Sequence, residues 1–493
     1  MPQWNDTGAD FTRLHPKPVS KDGDWTQELL VTHPNAAGID IGNEEHYVSV
    51  PPDRDAQPVR NFRCFTKDLH VMAKWLVACK IDTVAMQSTG VYWIPVYDVL
   101  EEHGLKVFVV NARHTKNLPG RKSDVRECQW VRQLHSYGLL QNSFHPDAVI
   151  RRQLRVYWRE RITLVQSASQ CIQRIQKAMT TMNIQLHNVI GDLSGVTGMA
   201  IVRAILKGER NPKELAKLRD PRVKATEEEV ARSLEGNWND SQLFVMRQQL
   251  DTYELCQRQI ADCDLEVRKV LEQMDDKADP EKELAPRKGR KSHGHSAPAF
   301  DLREQLYRVS GVDLTRVDGI DVVTAQTIIS EIGVDMTAWP TEAHFASWLG
   351  LCPDNEVSGG KVLKRGTRRV VSRTATALRL AARSLFRSQS YLGSQFRRLR
   401  TSRGAPKAIT AMAHKLARLV YRLLRYGHEY VDKGTAHYEE KLKELKVRSL
   451  KKHAQLLGFH IIRMRDHLAK CFWRACPRAF PNAALATEVW QIS

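Results

Sequence analysis

The sequence predicts a multidomain protein with an α/β domain near its N-terminus and a mainly helical remainder. At 493 residues the chain is too long for one ordinary hydrophobic core, so two or three domains are expected. Residues 35–145 alternate short apolar runs with segments of helical spacing. Apolar residues at steps of three and four dominate residues 146–275, and a charged stretch at 276–300 interrupts the pattern.

The overall charge indicates a polyanionic partner. The formal net charge is +19 at pH 7, which favours nucleic acid first and a membrane surface second. No run of 18 apolar residues predicts a membrane span, and the N-terminal residues lack the basic and apolar parts of a signal peptide. The nine cysteines include no CxxC pair, which is typical of a reducing compartment. We therefore expect a cytoplasmic protein.

The N-terminal stretch, residues 1–34, carries Pro16, Pro18 and Pro34 and mixed charge. We predict a flexible arm that is helical only near Trp25–Val31, with nucleic-acid binding as the alternative role.

Residues 35–145 contain the elements of the predicted α/β domain. Strands are expected at 36–41, 47–50, 59–65, 83–86 and 106–110, and helices at 67–79, 92–103 and 124–137. A three-stranded meander followed by alternating helices and strands is the element order of an RNase H-like fold.

Four polar side chains in this domain form a candidate catalytic site. Asp40 lies in the predicted central strand between two glycines, where an unpaired buried charge would be costly. Gln87 ends the next buried strand, and Asp124 and Glu127 share one face of the last helix. Three carboxylates and an amide suit two Mg²⁺ (or Mn²⁺) ions about 3.5–4 Å apart, as in two-metal phosphoryl transfer.

Simpler interpretations of the same residues remain open. Asp124 has the position of a helix cap, and Glu127 that of a solvated acid in the first helical turn. The run Gly38–Gly42 also begins sugar-kinase and actin-like ATPases, although no second phosphate-binding glycine motif follows at suitable spacing.

Residues 146–275 have a heptad-like apolar pattern, which predicts a helical region with a coiled coil. The first seam consists of Leu154, Trp158, Ile162, Val165, Ile172, Ile175, Met179, Met182, Leu186 and Val189, and the second of Met246, Leu250, Tyr253, Ile260, Val267, Val270 and Met274. A hairpin within one chain and pairing between chains both explain the pattern. Residues 276–300 change from acidic to basic without large apolar residues and are predicted to be a flexible linker.

Residues 301–435 are predicted to be a helical, nucleic-acid-binding domain. Residues 317–333 have the shape of a helix-hairpin-helix element, whose helix N-terminus would bind a backbone phosphate. Between Val357 and His428 there are 18 Lys or Arg and no Asp or Glu, with Tyr391, Phe396 and Tyr421 interleaved. The predicted phosphate-binding residues are Lys361, Lys364, Arg365, Arg368, Arg369, Arg373, Arg397, Arg398, Arg400 and Lys407.

Several motifs together resemble the DEDD-type transposases of insertion sequences, the "IS one-ten / IS eleven-eleven" family. These are Gly38–Gly42, Gln87–Trp93, Asn111-Ala-Arg-His and Gly120–Asp124. The resemblance implies a RuvC-like N-terminal domain with a metal-binding tetrad at Asp40, Gln87, Asp124 and Glu127. The family usually has Glu in the second place and Asp in the fourth, so this chain has lost one charge at Gln87.

The resemblance also implies that Ser358 is a nucleophile. It follows Gly350-Leu-Cys-Pro353 and precedes two glycines, whereas the residues alone indicate only a flexible turn. The implied mechanism is attack by Ser358 on a DNA phosphate held at the Asp40 cluster, through a composite site and a covalent phosphoserine link. Tyr92 is a less favoured substitute nucleophile.

The resemblance spans about residues 36–462 and implies further partners. These are a bridge RNA that pairs with donor and target DNA, and a second copy of the chain in a dimer or tetramer whose coiled coil is the dimerisation region. It also implies a location at the bacterial nucleoid. In the segment 436–493 a basic amphipathic helix is predicted at residues 439–457. Residues 463–493 have no counterpart and are expected to be an extension or a joined reading frame.

The predicted function is therefore DNA recombination for a mobile element. A structure-selective RuvC-like nuclease, in which water attacks and Ser358 is idle, is one alternative. A nucleic-acid-binding relative that lost its chemistry with Gln87 is the other.

Overall fold

The computed structural model describes residues 30–88, 90–111, 123–281, 284, 286, 297–364, 366–368, 370–427 and 434–459, with the strand segments 461–463 and 490–492. The predicted arm up to residue 29, most of the predicted linker and much of the C-terminal tail lie outside these residues. The chain forms two compact units, Met1–Phe144 and His145–Ser493. Among the helices that the structure describes, none has the length and hydrophobicity needed to cross a bilayer.

The first unit is built on a five-stranded mixed sheet, which confirms the predicted α/β domain. The strands are β1 (Ala36–Ile41), β2 (Glu45–Ser49), β3 (Val59–Arg63), β4 (Thr83–Gln87) and β5 (Lys106–Val110). Their order is β3-β2-β1-β4-β5, so β1 is central. It pairs antiparallel with β2 and parallel with β4, and β5 extends the parallel side. This topology is consistent with an RNase H-like domain.

Helices cover both faces of this sheet. α1 (Thr66–Ala78) and α2 (Trp93–Glu102) pack with the larger apolar core, which includes Ile39 and Met86. α3 (Asp124–Ser136) packs on the other face of β1. Because side chains alternate along a strand, Ile39 and Asp40 point to opposite faces, and Asp40 points to the face that carries α3.

The last residues of the predicted N-terminal arm belong to the α/β unit. The backbone amides of Thr32 and His33 both donate to the carbonyl oxygen of Ser136, at 2.8 and 2.9 Å. The ring of His33 also contacts those of Phe108 and His135. This part of the arm therefore packs against the C-terminal end of α3.

The second unit begins with a long helical hairpin within one chain. α4 (Arg155–Thr181) follows a π-helical turn and runs antiparallel to α8 (Asp240–Gln273). Between them lie three shorter helices, α5 (Val196–Leu206), α6 (Pro212–Ala216) and α7 (Glu227–Ser233), which close a core around the far end of the hairpin. The intramolecular alternative therefore explains both apolar seams in this structure.

The first predicted seam differs from the structure in two respects. The helix ends at Thr181, because Asn183 has a left-handed backbone with φ 57°, so Leu186 and Val189 do not extend it. Its buried line also passes through Arg161, Ala168 and Cys171, while Ile162 and Val165 are only half-buried. A buried arginine is polar, so an apolar pattern could not reveal it.

The C-terminal part of the second unit is helical with one β-hairpin. The helices are α9 (Leu302–Ser310), α10 (Val322–Ile332), α11 (Glu342–Trp348), α12 (Arg373–Ser384), α13 (Tyr391–Arg403), α14 (Ala405–Tyr426) and α15 (Gly434–Leu456). β6 (Glu356–Ser358) and β7 (Lys361–Lys364) form the hairpin, and β8 (Ile461–Arg463) pairs with β9 (Trp490–Ile492). Helix α14 lies at the centre and packs against α11, α12 and α13.

Candidate active site and nucleic-acid surface

The first candidate site lies where two parallel strands end. β1 and β4 are paired in register up to Ile39 and Met86, and the next residues are Asp40 and Gln87. Both are half-buried. Polar groups at the carboxyl ends of adjacent parallel strands lie at the same edge of a sheet, which is a common place for ligands. The fold therefore brings Asp40 and Gln87 to one edge, as the sequence predicted.

Gly38 brings the third element of this site close to the sheet. A Cβ atom at Gly38 would overlap the backbone nitrogen of Arg132 and the carbonyl oxygen of Cys128 on α3. Only glycine permits this approach. Gly38 and Asp40 lie on the same face of β1, and the first turn of α3 precedes Cys128. The acidic first turn of α3 is therefore directed toward Asp40.

The first turn of α3 carries the two remaining predicted acids. Ser123 caps the helix, since its hydroxyl accepts a hydrogen bond from the backbone of Arg126 at 3.4 Å. Asp124 is exposed and Glu127 is half-buried. The interpretation of Asp124 as the helix cap is therefore wrong, and its carboxylate is not used for capping.

Two pKa shifts reflect the negative charge gathered here. Burial, followed by the charge of Asp40, raises the pKa of the Cys128 thiol to about 12. The hydrogen bond from the hydroxyl of Tyr47 to Glu45 raises the pKa of Tyr47, and Asp124 adds to the effect. Tyr47 pairs directly with Asp40 across the sheet. The carboxylates of Asp40 and Asp124 thus both contribute to raised pKa values of groups on this face of the sheet.

Sequence reasoning missed Glu45 as a fourth carboxylate on this face. It lies two residues before Tyr47 on β2, and its carboxylate accepts hydrogen bonds from Tyr47 (3.1 Å) and Asn61 (2.7 Å). The alternation of side chains along β2 could have predicted this position. Glu45 and Tyr47 are two residues apart, so both point to the same side of the sheet as Asp40.

The donor set suits a hard cation, but it is not a preassembled metal centre. Carboxylate and amide oxygens are the ligands that Mg²⁺ prefers. Within the described ranges, however, no three His, Cys, Asp or Glu side chains lie close enough together to hold an ion. Gln87 replaces one charge of the expected tetrad, and Glu45 is engaged with Tyr47 and Asn61. These side chains are therefore of the chemical type that binds Mg²⁺. Their carboxylates are, however, too far apart in this structure to form a three-ligand site.

Ser358 lies in the second unit at the tip of a β-hairpin, not in an irregular loop. It is the last residue of β6, and Gly359 and Gly360 form the turn with φ 55° and 76°. Positive φ at both turn positions is typical of a two-residue hairpin turn, which glycine adopts without strain. Ser358 and its neighbours in both strands are exposed. The serine hydroxyl is thus presented to solvent on a short, glycine-tipped ribbon.

The predicted phosphate-binding residues fall into several groups in the structure. Arg365 and Arg369 lie outside the described residues. Lys361 and Lys407 are exposed, and Lys364 forms a surface ion pair with Glu356 at 3.0 Å. These positions leave the predicted phosphate contacts of Lys361 and Lys407 open to a ligand.

Other arginines of this set have contacts within the protein. Arg368 donates to the carbonyl oxygen of Ser347 at 2.8 Å, and Arg373 lies 3.9 Å from the carboxylate of Glu331. Arg397 donates to the carbonyl oxygen of Ser388 at 2.5 Å. Arg398 reaches the hydroxyl of Tyr438 at 3.5 Å. Arg397 in particular holds the segment between α12 and α13, so its role in the structure is a local one.

The predicted aromatic part of the basic surface is wrong for two of three residues. Phe396 and Tyr421 are 2% and 1% exposed and belong to the core around α14. The hydroxyl of Tyr421 donates to the carbonyl oxygen of Trp339. Tyr391 is half-buried beneath the ammonium group of Lys415, which lies 4.7 Å from its ring centroid. The position of each ring on its helix turns it toward the core. A count of charges along the sequence carries no information about which way a side chain points.

The predicted helix-hairpin-helix element has a capped helix N-terminus. Residues 314–316 form a single 3₁₀ turn, and the side chain of Asp321 accepts the backbone amide of Thr324 at 2.7 Å at the start of α10. The preceding Gly319 has φ 90°, and a Cβ atom there would come within 2.6 Å of the carbonyl oxygen of Ala381. The side chain of Asp321 already accepts the hydrogen bond from the amide that a phosphate would use. Phosphate binding at this helix therefore stays a prediction.

Two family models match this chain. One, described as a transposase and defined for DEDD transposases of the IS110 type, matches residues 37–184. The other, described as the transposase IS116/IS110/IS902 family, matches residues 313–397. No curated protein matches the chain. The first match contains Asp40, Gln87, Asp124 and Glu127, and the second contains Ser358. Both models describe transposases of the IS110 type, so the two matches support this chain as an IS110-family DEDD transposase, a class of enzyme that acts on DNA.

Proposed function

We propose that this transposase is a recombinase that cuts and rejoins DNA through a composite site of the acidic cluster and Ser358. The observation that carries the proposal is the placement of Asp40 and Gln87 at one sheet edge, facing the acidic first turn of α3. The exposed, glycine-tipped position of Ser358 supports its role as a nucleophile.

Each residue has a proposed role. Asp40, Asp124 and Glu127 would hold Mg²⁺ (or Mn²⁺), with the amide oxygen of Gln87 as a neutral ligand. A bound divalent ion supplies charge neutralisation at the attacked phosphate. The hydroxyl oxygen of Ser358 forms a bond to phosphorus as the bond from phosphorus to a deoxyribose oxygen breaks, and the serine proton ends on that leaving oxygen. The phosphoserine link thus retains the bond energy for rejoining.

The proposal includes two partners beyond the DNA. A bridge RNA would select donor and target, and a dimer or tetramer would supply paired sites for the strands that are exchanged. The basic segment between residues 357 and 428 supports RNA as well as DNA as a ligand, because backbone phosphates are common to both.

A trapping experiment tests the nucleophile. Purified protein, Mg²⁺ and DNA carrying the element junction are run on a denaturing gel, with and without RNA copurified from the native locus. We expect a covalent protein–DNA adduct that is lost in both Ser358→Ala and Asp40→Ala. Cleavage that survives Ser358→Ala but not Asp40→Ala would instead indicate a resolvase-like nuclease that uses water.

A specific observation favours a second candidate, a binding protein with attenuated chemistry. Gln87 lacks the charge of the family's usual glutamate, and the described residues contain no assembled three-ligand cluster. If this candidate is right, Gln87→Glu creates Mg²⁺-dependent cleavage that the wild-type protein lacks. Gln87→Ala is the matched control, since it removes the amide without adding a charge. Full activity of the wild-type protein with Gln87 would exclude the candidate.

A further inference from the structure

An open groove lies on the basic part of the second unit. It has a volume of about 750 Å³ and lies among the end of α12, the 3₁₀ turn Leu385–Arg387, α13 and the start of α14. Ligand pockets are commonly about 300–1,000 Å³ in volume. Its lining includes Leu380, Arg383, Phe386, Arg387, Arg400 and Ile409. The groove is therefore large enough for a planar heterocycle with its attached groups.

The groove combines an exposed ring with exposed cations. Phe386 is 46% exposed and Leu380 is 62% exposed, although large apolar side chains are costly to leave in water. The guanidinium carbon of Arg400 lies 4.4 Å from the centroid of the Phe386 ring. No carboxylate in the described part of the chain forms an ion pair with Arg383, Arg387 or Arg400, which are all exposed. The site thus has an apolar plane surrounded by positive charge.

The backbone at Phe386 is held in place by its neighbours. Its carbonyl oxygen accepts a hydrogen bond from Arg397 at 3.3 Å, and the same guanidinium donates to Ser388. The preceding residue, Leu385, is fully buried. Phe396 closes the floor of the groove with 2% exposure. A backbone held in this way keeps the ring at the groove and reduces the ordering that binding requires, which favours affinity.

We propose that this groove binds one unpaired nucleotide, with its base stacked on Phe386 and its flanking phosphates held by Arg383, Arg387 and Arg400. The inference rests on the proposed function, since a recombinase must handle strands whose bases are not paired. Charge complementarity identifies the occupant, because three exposed arginines around an exposed ring match a base with two phosphates. A base inside a duplex has both faces stacked and does not offer one to Phe386.

Binding of 12-nucleotide strands to the full-length protein tests the site. The probes are dT12, rU12 and a 12-mer of the same charge in which every residue is abasic. Phe386→Ala should weaken binding of dT12 or rU12 by roughly 5- to 150-fold, the expected effect of losing one base–aromatic stack. It should leave the abasic strand unaffected. Phe386→Trp should keep the wild-type affinity, while Phe386→Leu should behave like the alanine variant.

Substitution of the groove arginines should change binding in a different way from substitution of Phe386. Arg383→Ala and Arg400→Ala should weaken all three probes and lower the slope of log affinity against log salt by about 0.7 each. Arg232→Ala, exposed on α7 and outside the segment 357–428, is the control for loss of an exposed arginine. Comparing dT12 with rU12 shows whether the bound nucleotide comes from DNA or RNA.

Equal binding of dT12 and rU12 by Phe386→Ala and wild type would overturn this inference and leave the proposed function intact. A lower oligomer mass in Phe386→Ala at unchanged affinity would assign the groove to a second copy of the chain, and so would also overturn it. Absence of binding to any strand or duplex by the wild-type protein would contradict the proposed function itself.

Discussion

Individual side chains in the α/β unit show how burial changes proton equilibria. His135 on α3 is fully buried, and its Nε2 atom lies 2.9 Å from the hydroxyl of Thr83 on β4. Burial, with a smaller contribution from the nearby His33, lowers the pKa of His135 to about 4. A neutral imidazole is therefore part of the interface between α3 and the sheet, the same interface that positions Asp124 and Glu127.

The stability of the protein should depend on pH through His135. Above pH 6.5 its imidazole is neutral in both folded and unfolded chains, so its contribution is constant. Between pH 6.5 and about 4 the unfolded chain binds a proton that the folded chain does not, so stability falls by up to about 1.4 kcal/mol per pH unit. Urea denaturation from pH 7.5 to 4.5 measures this loss.

The variant His135→Gln should flatten that dependence, because glutamine retains a hydrogen-bonding partner for Thr83 but does not titrate. His453→Gln, at an exposed position on α15, is the control and should reproduce the wild-type curve. A His135→Gln curve with the same slope as the wild type would show that other groups cause the acid sensitivity.

Packing of whole elements depends on a few contacts that the apolar pattern does not show. In the hairpin of α4 and α8, Arg161 and Asp264 form an ion pair whose side chains are 2% and 6% exposed. The guanidinium carbon of Arg161 also lies 5.1 Å from the centroid of the Trp158 ring. Trp158 in turn donates a hydrogen bond to Thr327 on α10 at 3.0 Å. These contacts join the hairpin to the C-terminal helices of the same unit.

Breaking the buried pair should be much more costly than removing it. Arg161→Met leaves Asp264 charged and buried, and we expect the free energy of unfolding to fall by about 3–5 kcal/mol. The double variant Arg161→Met/Asp264→Leu should recover most of this loss, because no unpaired charge remains. Urea denaturation of both variants at one pH provides the comparison.

A surface pair between α5 and α8 is the control for that experiment. Arg203 and Glu254 lie 2.9 Å apart, with side chains 51% and 39% exposed. Arg203→Ala should therefore cost less than about 1 kcal/mol. If Arg161→Met were as mild as Arg203→Ala, the buried pair would have no special role in the hairpin.

For the whole molecule, charge is concentrated in one part of the chain. The formal net charge is +19, and the segment 357–428 alone contributes 18 cations and no anions. Phosphate contacts release counterions, so affinity for nucleic acid should fall steeply as salt rises. The acidic cluster of the first unit is by contrast built from a few carboxylates around one sheet edge.

Salt titrations should show which lysines contribute to DNA binding. Lys361→Ala and Lys407→Ala should each weaken duplex DNA binding without regard to sequence and reduce the log–log salt slope by about 0.9. Lys213→Ala, exposed on α6 and outside the basic segment, should leave the slope unchanged. Fluorescence anisotropy between 50 and 300 mM KCl measures all three. An equal effect of Lys213→Ala would mean that binding depends on total charge, not on this segment.

The sequence by itself determined the strands and helices of the first unit, because period-two and period-3.6 patterns report directly on local structure. It also predicted where Asp40, Gln87 and the acidic turn of α3 lie, since these residues stand near the ends of elements that the patterns delimit. The motif resemblance predicted the family, which the two family models confirm.

Only the tertiary structure decided which polar and aromatic groups are buried. It paired Arg161 with Asp264, placed Phe396 and Tyr421 in the core, and added Glu45 to the face of Asp40. It also left Phe386 exposed beside Arg400. The physical reason is that burial depends on contacts between residues far apart in the chain, whereas residue type and spacing describe only each element's own preferences.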